Sequence, residues 1–234
     1  MSSGLMVALD MDESDEAVRL ADEIGPDVAA LKIGSQLFTR YGPELVRKIT
    51  GSGGRVFLDL KYHDIPNTVA KAVRGAVEMG VSWITVHSSG GSEMIQAASE
   101  AAGDAKILAV TVLTSLDREA MSRVGWSGEV RDQVINLAAM ARESGADGIV
   151  CSALEVRSLR SVLDKGCVLV TPGIRPAGAS TDDQARVATP ASAVADGADY
   201  LVVGRPIVKA PDPKGAVRLI LEEMKQGDRL RERD

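Results

Sequence analysis

Two aspartates and two lysines alternate near the start of the chain: Asp10, Lys32, Asp59 and Lys61. Asp59 and Lys61 lie two apart in the apolar run Val56-Phe57-Leu58-Asp59-Leu60-Lys61. In an extended strand such residues point to one side, with Leu58 and Leu60 on the other. A carboxylate and an ammonium in an apolar strand are costly to bury unless paired. For that pair alone, a structural ion pair is an adequate reading. Lys32 and Asp10, at the ends of two other apolar runs, weigh against it. Four alternating charges brought together are hard to explain as packing. They are the side chains that shift one another's ionisation and hold charge in a reacting group.

A second chemical signal is Gly204-Arg205 after Leu201-Val202-Val203. A glycine lets backbone approach an anion closely, and an arginine can grip a phosphate bidentately. The polar, Gly/Pro-rich stretch Arg175–Pro190, with Gly178, Asp182, Asp183, Gln184 and Arg186, has the length of an active-site lid. Of the two histidines, His87 sits at a strand end without a partner at a metal-ligand spacing and reads as a structural residue rather than an acid–base group, while His63 lies in the Lys61–Asp64 loop with its role open. Cys151 and Cys167 form no CxxC pair and are expected to be buried free thiols.

The elements that must position these groups follow from periodicity. Short apolar runs recur at Leu5–Leu9, Val28–Ile33, Val56–Leu60, Trp83–Val86, Ile107–Val112, Gly148–Cys151, Val168–Val170 and Tyr200–Val203. They mostly lack alternation, which suits parallel strands buried on both faces. Amphipathic helical patterns separate them, such as Val69, Ala72, Val73, Ala76 and Val77, or Val134, Leu137, Ala138 and Ala141. Asn67 is expected to precede a helix. Thr189-Pro190 and Asp212-Pro213 each place a capping side chain before a proline at the first helical position. Gly80, Gly145 and Gly197 follow helical runs as C-terminal stops, just before strands four, six and eight. Eight strands alternating with helices in 234 residues predict a single-domain (β/α)8 TIM barrel over residues 1–234. An open doubly wound sheet usually opens with a Gly-rich turn, whereas here the first strand leads into Ala8-Leu9-Asp10-Met11-Asp12.

In such barrels the site lies where strands end. Polar residues follow that rule: Asp10, Lys32, Asp59-Leu60-Lys61 with Asp64, His87-Ser88-Ser89, Thr114-Ser115, Ser152, Thr171-Pro172-Gly173-Ile174-Arg175 and Gly204-Arg205. Strand starts carry far fewer ionisable groups. The net charge of −6 argues against a nucleic-acid polymer as partner, which requires a basic face. It leaves room for a small anionic substrate held by a few cations in a cleft. No run approaches the roughly 18 apolar residues of a membrane span, and Met1–Asp10 lacks a secretory pattern. A soluble, cytoplasmic protein is expected.

Asp59-Leu60-Lys61-Tyr62-His63-Asp64-Ile65-Pro66-Asn67-Thr68 resembles the DxKxxDIPNT signature of the orotidine 5′-monophosphate decarboxylase family. The likeness runs in order along nearly the whole chain. It takes in Leu9-Asp10, Leu31-Lys32-Ile33-Gly34, Val86–Gly91, Thr111–Ser115, Cys151-Ser152-Ala153, Thr171–Arg175, Asp182–Arg186 and Val203–Ile207. The resemblance implies cofactor-free removal of CO2 from orotidine 5′-monophosphate to give UMP, the last step of pyrimidine nucleotide synthesis. It implies no metal. Lys61 would stabilise and protonate the C6 carbanion, and Asp59 would orient Lys61. Lys32 and Asp10 would hold the lysine network and the ribose hydroxyls. Thr114 and Ser152 match positions that contact the pyrimidine. Pro172 falls in the block after strand seven and is counted with the substrate contacts. Gln184 would bridge base and phosphate, and Arg175, Gly204 and Arg205 would bind the phosphate. The family site is shared across a homodimer, so Asp64, Ile65 and Thr68 would serve the neighbouring subunit. Metal-dependent sugar-phosphate decarboxylases or aldolases share DxKxxD but carry an acid where Lys32 stands. A non-catalytic phosphate-binding barrel would keep Gly204-Arg205 without requiring Lys61.

Overall fold

A computed structural model describes residues 4–176 and 188–232. Eight parallel strands close into a barrel in chain order, β1 pairing with both β2 and β8. They are β1 (Gly4–Ala8), β2 (Ala30–Gly34), β3 (Val56–Tyr62), β4 (Trp83–His87), β5 (Lys106–Val110), β6 (Gly148–Val150), β7 (Val168–Thr171) and β8 (Tyr200–Val203). The expected barrel is therefore the observed one. Its strand limits shift by a few residues: Val28 and Ala29 lie before β2, and β5 stops before Thr111.

The lack of alternation in the strands has a direct cause. One set of side chains, including Leu31, Ile33, Leu58, Ile84 and Ile107, packs outward against the helices. The other set fills the barrel, where Met6, Ala8, Ala30, Phe57, Trp83, Leu108, Val170 and Val202 form their own apolar cluster. Both faces are buried, so both are apolar. Two residues farther along β2, β3 and β4, toward the strands' C-terminal ends, the inward column becomes polar: Ala30 gives way to Lys32, Phe57 to Asp59 and Trp83 to Thr85. The apolar plug thus forms the floor of a polar mouth.

The helices end and begin largely as their sequences dictate. Thr189 accepts a hydrogen bond from the Ser192 N–H, and Asp212 accepts one from the Gly215 N–H. Asn67 is a correction: it lies inside the helix Pro66–Val77, with Pro66 at its start and Ile65 before it. Proline takes the first helical position readily because its missing N–H would have no partner there. At the opposite end of the barrel Asp199 pairs with Arg160 and Arg231 and accepts the Leu169 N–H, tying β7 to the outer helices.

Candidate active site

The site begins with a chain of four charges carried by β2, β3 and the segment just after β1. Lys32 Nζ lies 3.2 Å from Asp10 Oδ1 and 3.5 Å from Asp59 Oδ2. Lys61 Nζ donates to Asp59 Oδ1 at 2.8 Å. The order Asp10–Lys32–Asp59–Lys61 alternates in sign, so every like-charged pair has an opposite charge between its members. Burial would raise the Asp59 carboxyl. The charges of Lys32 and Lys61, with hydrogen bonds from Lys61 and Thr85, outweigh it and hold the group below the usual carboxylate range. Gly34, at the end of β2, makes room for this array: a Cβ there would lie 3.1 Å from Lys32 Nζ.

Asp59 and Lys61 do pair, but not as alternate residues of a regular strand. Leu58 pairs with Ile84, and the next pairing is Tyr62 with Val86. Three residues of β3 therefore face one residue of β4, and the strand bulges. Among the described residues, Lys61 is the one non-glycine residue at positive φ, 51°. Such a conformation is unfavourable for a lysine and persists only where its surroundings enforce it.

A cavity of about 350 Å³ opens above the apolar floor. Asp10, Lys32, Asp59 and Lys61 line one side of it. Thr114, Ser152, Pro172, Arg175, Gly204 and Arg205 also line it, as do the apolar Phe57, Val110, Val150 and Val202. Most of the sequence-predicted groups therefore converge, and of the pair Thr114 and Ser115 it is Thr114 that lines the wall. Arg175 is only 7% exposed. Gln184, with Gly178, Asp182, Asp183 and Arg186, lies outside the described residues. Asp64, Ile65 and Thr68 do not line the cavity: all three are exposed, Ile65 to 67%. Among the described residues no three His, Cys, Asp or Glu side chains group as a metal site.

The profile of the orotidine 5′-phosphate decarboxylase / HUMPS family matches residues 3–220. The chain belongs to this family. It is 48% identical over 226 residues to the orotidine 5′-phosphate decarboxylase of Nitrosococcus oceani, covering 95% of this chain and 97% of that one. It is 47% identical to the enzyme of that name from Thermobifida fusca, covering 97% of each. The crystal structure of the Lactobacillus acidophilus orotidine 5′-phosphate decarboxylase superposes with a TM-score of 0.86 at 38% identity, covering 95% of this chain and 99% of that one.

Two polar residues of this decarboxylase-family site escaped the sequence reading. Thr85, fully buried on β4, bonds both Asp59 and the Lys61 backbone. Glu155, 9% exposed, accepts the Ser152 N–H at 2.8 Å. The spacing Ser152-x-x-Glu155 is that of a capping box, a signal that could have flagged it. Ser152 Oγ is buried without a protein partner among the described residues, and Ser152 lines the cavity. A buried hydroxyl in that position is available to a ligand. His87 stacks near His63 at 5.5 Å between ring centroids, and burial, then His63 and Lys61, push its pKa down. The two thiols are free and buried; burial pushes Cys167 up to about 11 and Cys151 higher still.

Proposed function

We propose that the chain decarboxylates orotidine 5′-monophosphate to UMP without a cofactor, with Lys61 as the group that stabilises and protonates C6. The reaction is a carboxy-lyase step of pyrimidine nucleotide synthesis. The observation that carries the residue assignment is the alternating array Asp10–Lys32–Asp59–Lys61 along one wall of a nucleotide-sized cavity. When the C6–carboxylate bond breaks, its electron pair stays on C6 in an orbital the ring π-system cannot delocalise. A preorganised ammonium offsets that charge. Lys61 then gives a proton to C6, CO2 leaves, and the amine regains its proton from solvent. Asp59 holds Lys61 in place and lies beside the departing carboxylate. Lys32 fixes Asp59 and, with Asp10, meets the ribose hydroxyls.

Thr114 and Ser152 meet the pyrimidine. Gly204, Arg205 and Arg175 take the phosphate, with Pro172 against the substrate and Gln184 reaching in from the Arg175–Pro190 loop. Phosphate binding energy then serves the reacting ring. The exposure of Asp64, Ile65 and Thr68 supports a homodimer in which they complete the neighbouring site. One barrel over residues 1–234 would carry the activity, in the cytoplasm. No described helix is long and apolar enough to cross a membrane.

The test is the ultraviolet absorbance of orotidine 5′-monophosphate mixed with the protein, with and without a chelator. Conversion to UMP unaffected by chelation is expected. No conversion, together with metal-dependent turnover of a sugar phosphate, would overturn the assignment. The shared site has its own test in mixed Lys61→Ala and Asp64→Ala chains, where each mixed dimer holds one intact site. Recovered activity is expected; none after confirmed subunit exchange would sink the cross-subunit role.

A further inference from the structure

Thr85 occupies the gap that the β3 bulge leaves in the sheet. Asp59, Leu60 and Lys61 face it across the ladder where one residue would normally stand. At this bulge the Lys61 N–H donates to the side chain of the facing residue, Thr85 Oγ1, at 2.9 Å. The same hydroxyl donates its own proton to Asp59 Oδ1 at 3.0 Å. Asp59 Oδ1 is also the atom that receives Lys61 Nζ at 2.8 Å. One fully buried hydroxyl therefore closes a ring through the lysine backbone, the aspartate carboxylate and the lysine ammonium.

We infer that Thr85 is a positioning residue for the reaction: its hydroxyl holds Lys61 in the left-handed conformation and fixes the Asp59 oxygen that aims the Lys61 ammonium. The inference rests on the decarboxylase reading and deepens it. A valine has nearly the shape of threonine but can neither accept the Lys61 N–H nor donate to Asp59. Lys61, at φ 51°, would then lose the side-chain bond that offsets its backbone strain. Thr85 does not line the cavity, so its loss should not weaken substrate binding directly.

The test compares Thr85→Val, Thr85→Ala and Thr85→Ser with the wild-type chain in steady-state turnover of orotidine 5′-monophosphate and in calorimetric binding of UMP. For T85V and T85A, kcat should fall roughly 10- to 100-fold, the range of a lost hydrogen bond to a charged group. UMP affinity should stay within about threefold, because that bond lies outside the cavity wall. T85S, which keeps the hydroxyl, should stay within about threefold of wild type in kcat. The acid limb of the kcat profile should move to higher pH in T85V, since Asp59 loses a bond that favours its charged form. Wild-type kcat in T85V and T85A would overturn the inference, as would a T85S chain as slow as T85V. Parallel loss of kcat and UMP affinity would also overturn it, since that marks general damage to the barrel. A wild-type chain without turnover would overturn the decarboxylase reading as well, which separates the two failures.

Discussion

Replacing Lys61 with alanine removes the one cation that pairs with Asp59 at 2.8 Å while leaving Lys32 at 3.5 Å on its other oxygen. The array should therefore survive with one charge fewer, and the barrel should still fold. The cost falls on the reaction. Two unit charges about 3 Å apart interact by roughly 5 kcal/mol at an effective dielectric of about 20. A charge half developed at the transition state would feel about half of that. At about 1.36 kcal/mol per tenfold, the electrostatic loss is roughly 100-fold in kcat. Losing the proton donor adds a further factor of roughly 100 to 10,000, not fully additive with the first. The expected total is roughly 1,000- to 100,000-fold. The assay follows substrate absorbance at saturating orotidine 5′-monophosphate, with single-turnover traces to separate chemistry from release. UMP affinity should change by less than about tenfold, because Arg175, Gly204 and Arg205 line the cavity independently of Lys61. A kcat loss below about 100-fold would refute the reasoning, as would a raised KM with kcat intact.

Arg205→Ala should raise KM roughly 10- to 100-fold through lost charge-assisted bonds to the phosphate, and an unchanged KM would remove Arg205 from that role. Glu155→Leu leaves the Ser152 N–H unpaired where burial is nearly complete. It should cost about 1–3 kcal/mol, read as a melting point roughly 2–10 °C lower, with a raised KM. Glu155→Gln keeps an acceptor and should lose less; equal losses would argue against the hydrogen bond as the cause. Because the folded pKa of His87 is pushed below its usual 6.5, the unfolded chain binds more protons just below that pH. Stability should then rise with pH through that window and fall as pH drops below about 6.5. Urea unfolding at pH 5.5 and 7.5 checks the sign, and His87→Asn should flatten the difference; an unchanged slope would assign it elsewhere.

How much of this was legible in the residues varies by element. The barrel was, because parallel strands buried on both faces must read as short apolar runs, and Ala30–Gly34 or Val168–Thr171 have no other good use in a protein of this size. The place of Gly204-Arg205 on the cavity wall was legible too, since its position after the eighth strand fixes its end of the barrel. The array Asp10–Lys32–Asp59–Lys61 was legible as a set, because charges at strand ends stand out against apolar strands.

Its wiring was not. Periodicity and the cost of burying charge are enough to say that these residues reach the barrel mouth. That β3 bulges after Leu58 and that Lys61 turns left-handed follow from how the strands pair in space. The same holds for the hydroxyl of a neighbouring strand that accepts the Lys61 N–H. Thr85 looks like an ordinary β-branched strand residue, and nothing local distinguishes it, since threonine suits a strand whether or not its hydroxyl is used. Its role depends on register across the sheet, a relation between Thr85 and Lys61 set by how two distant segments pair.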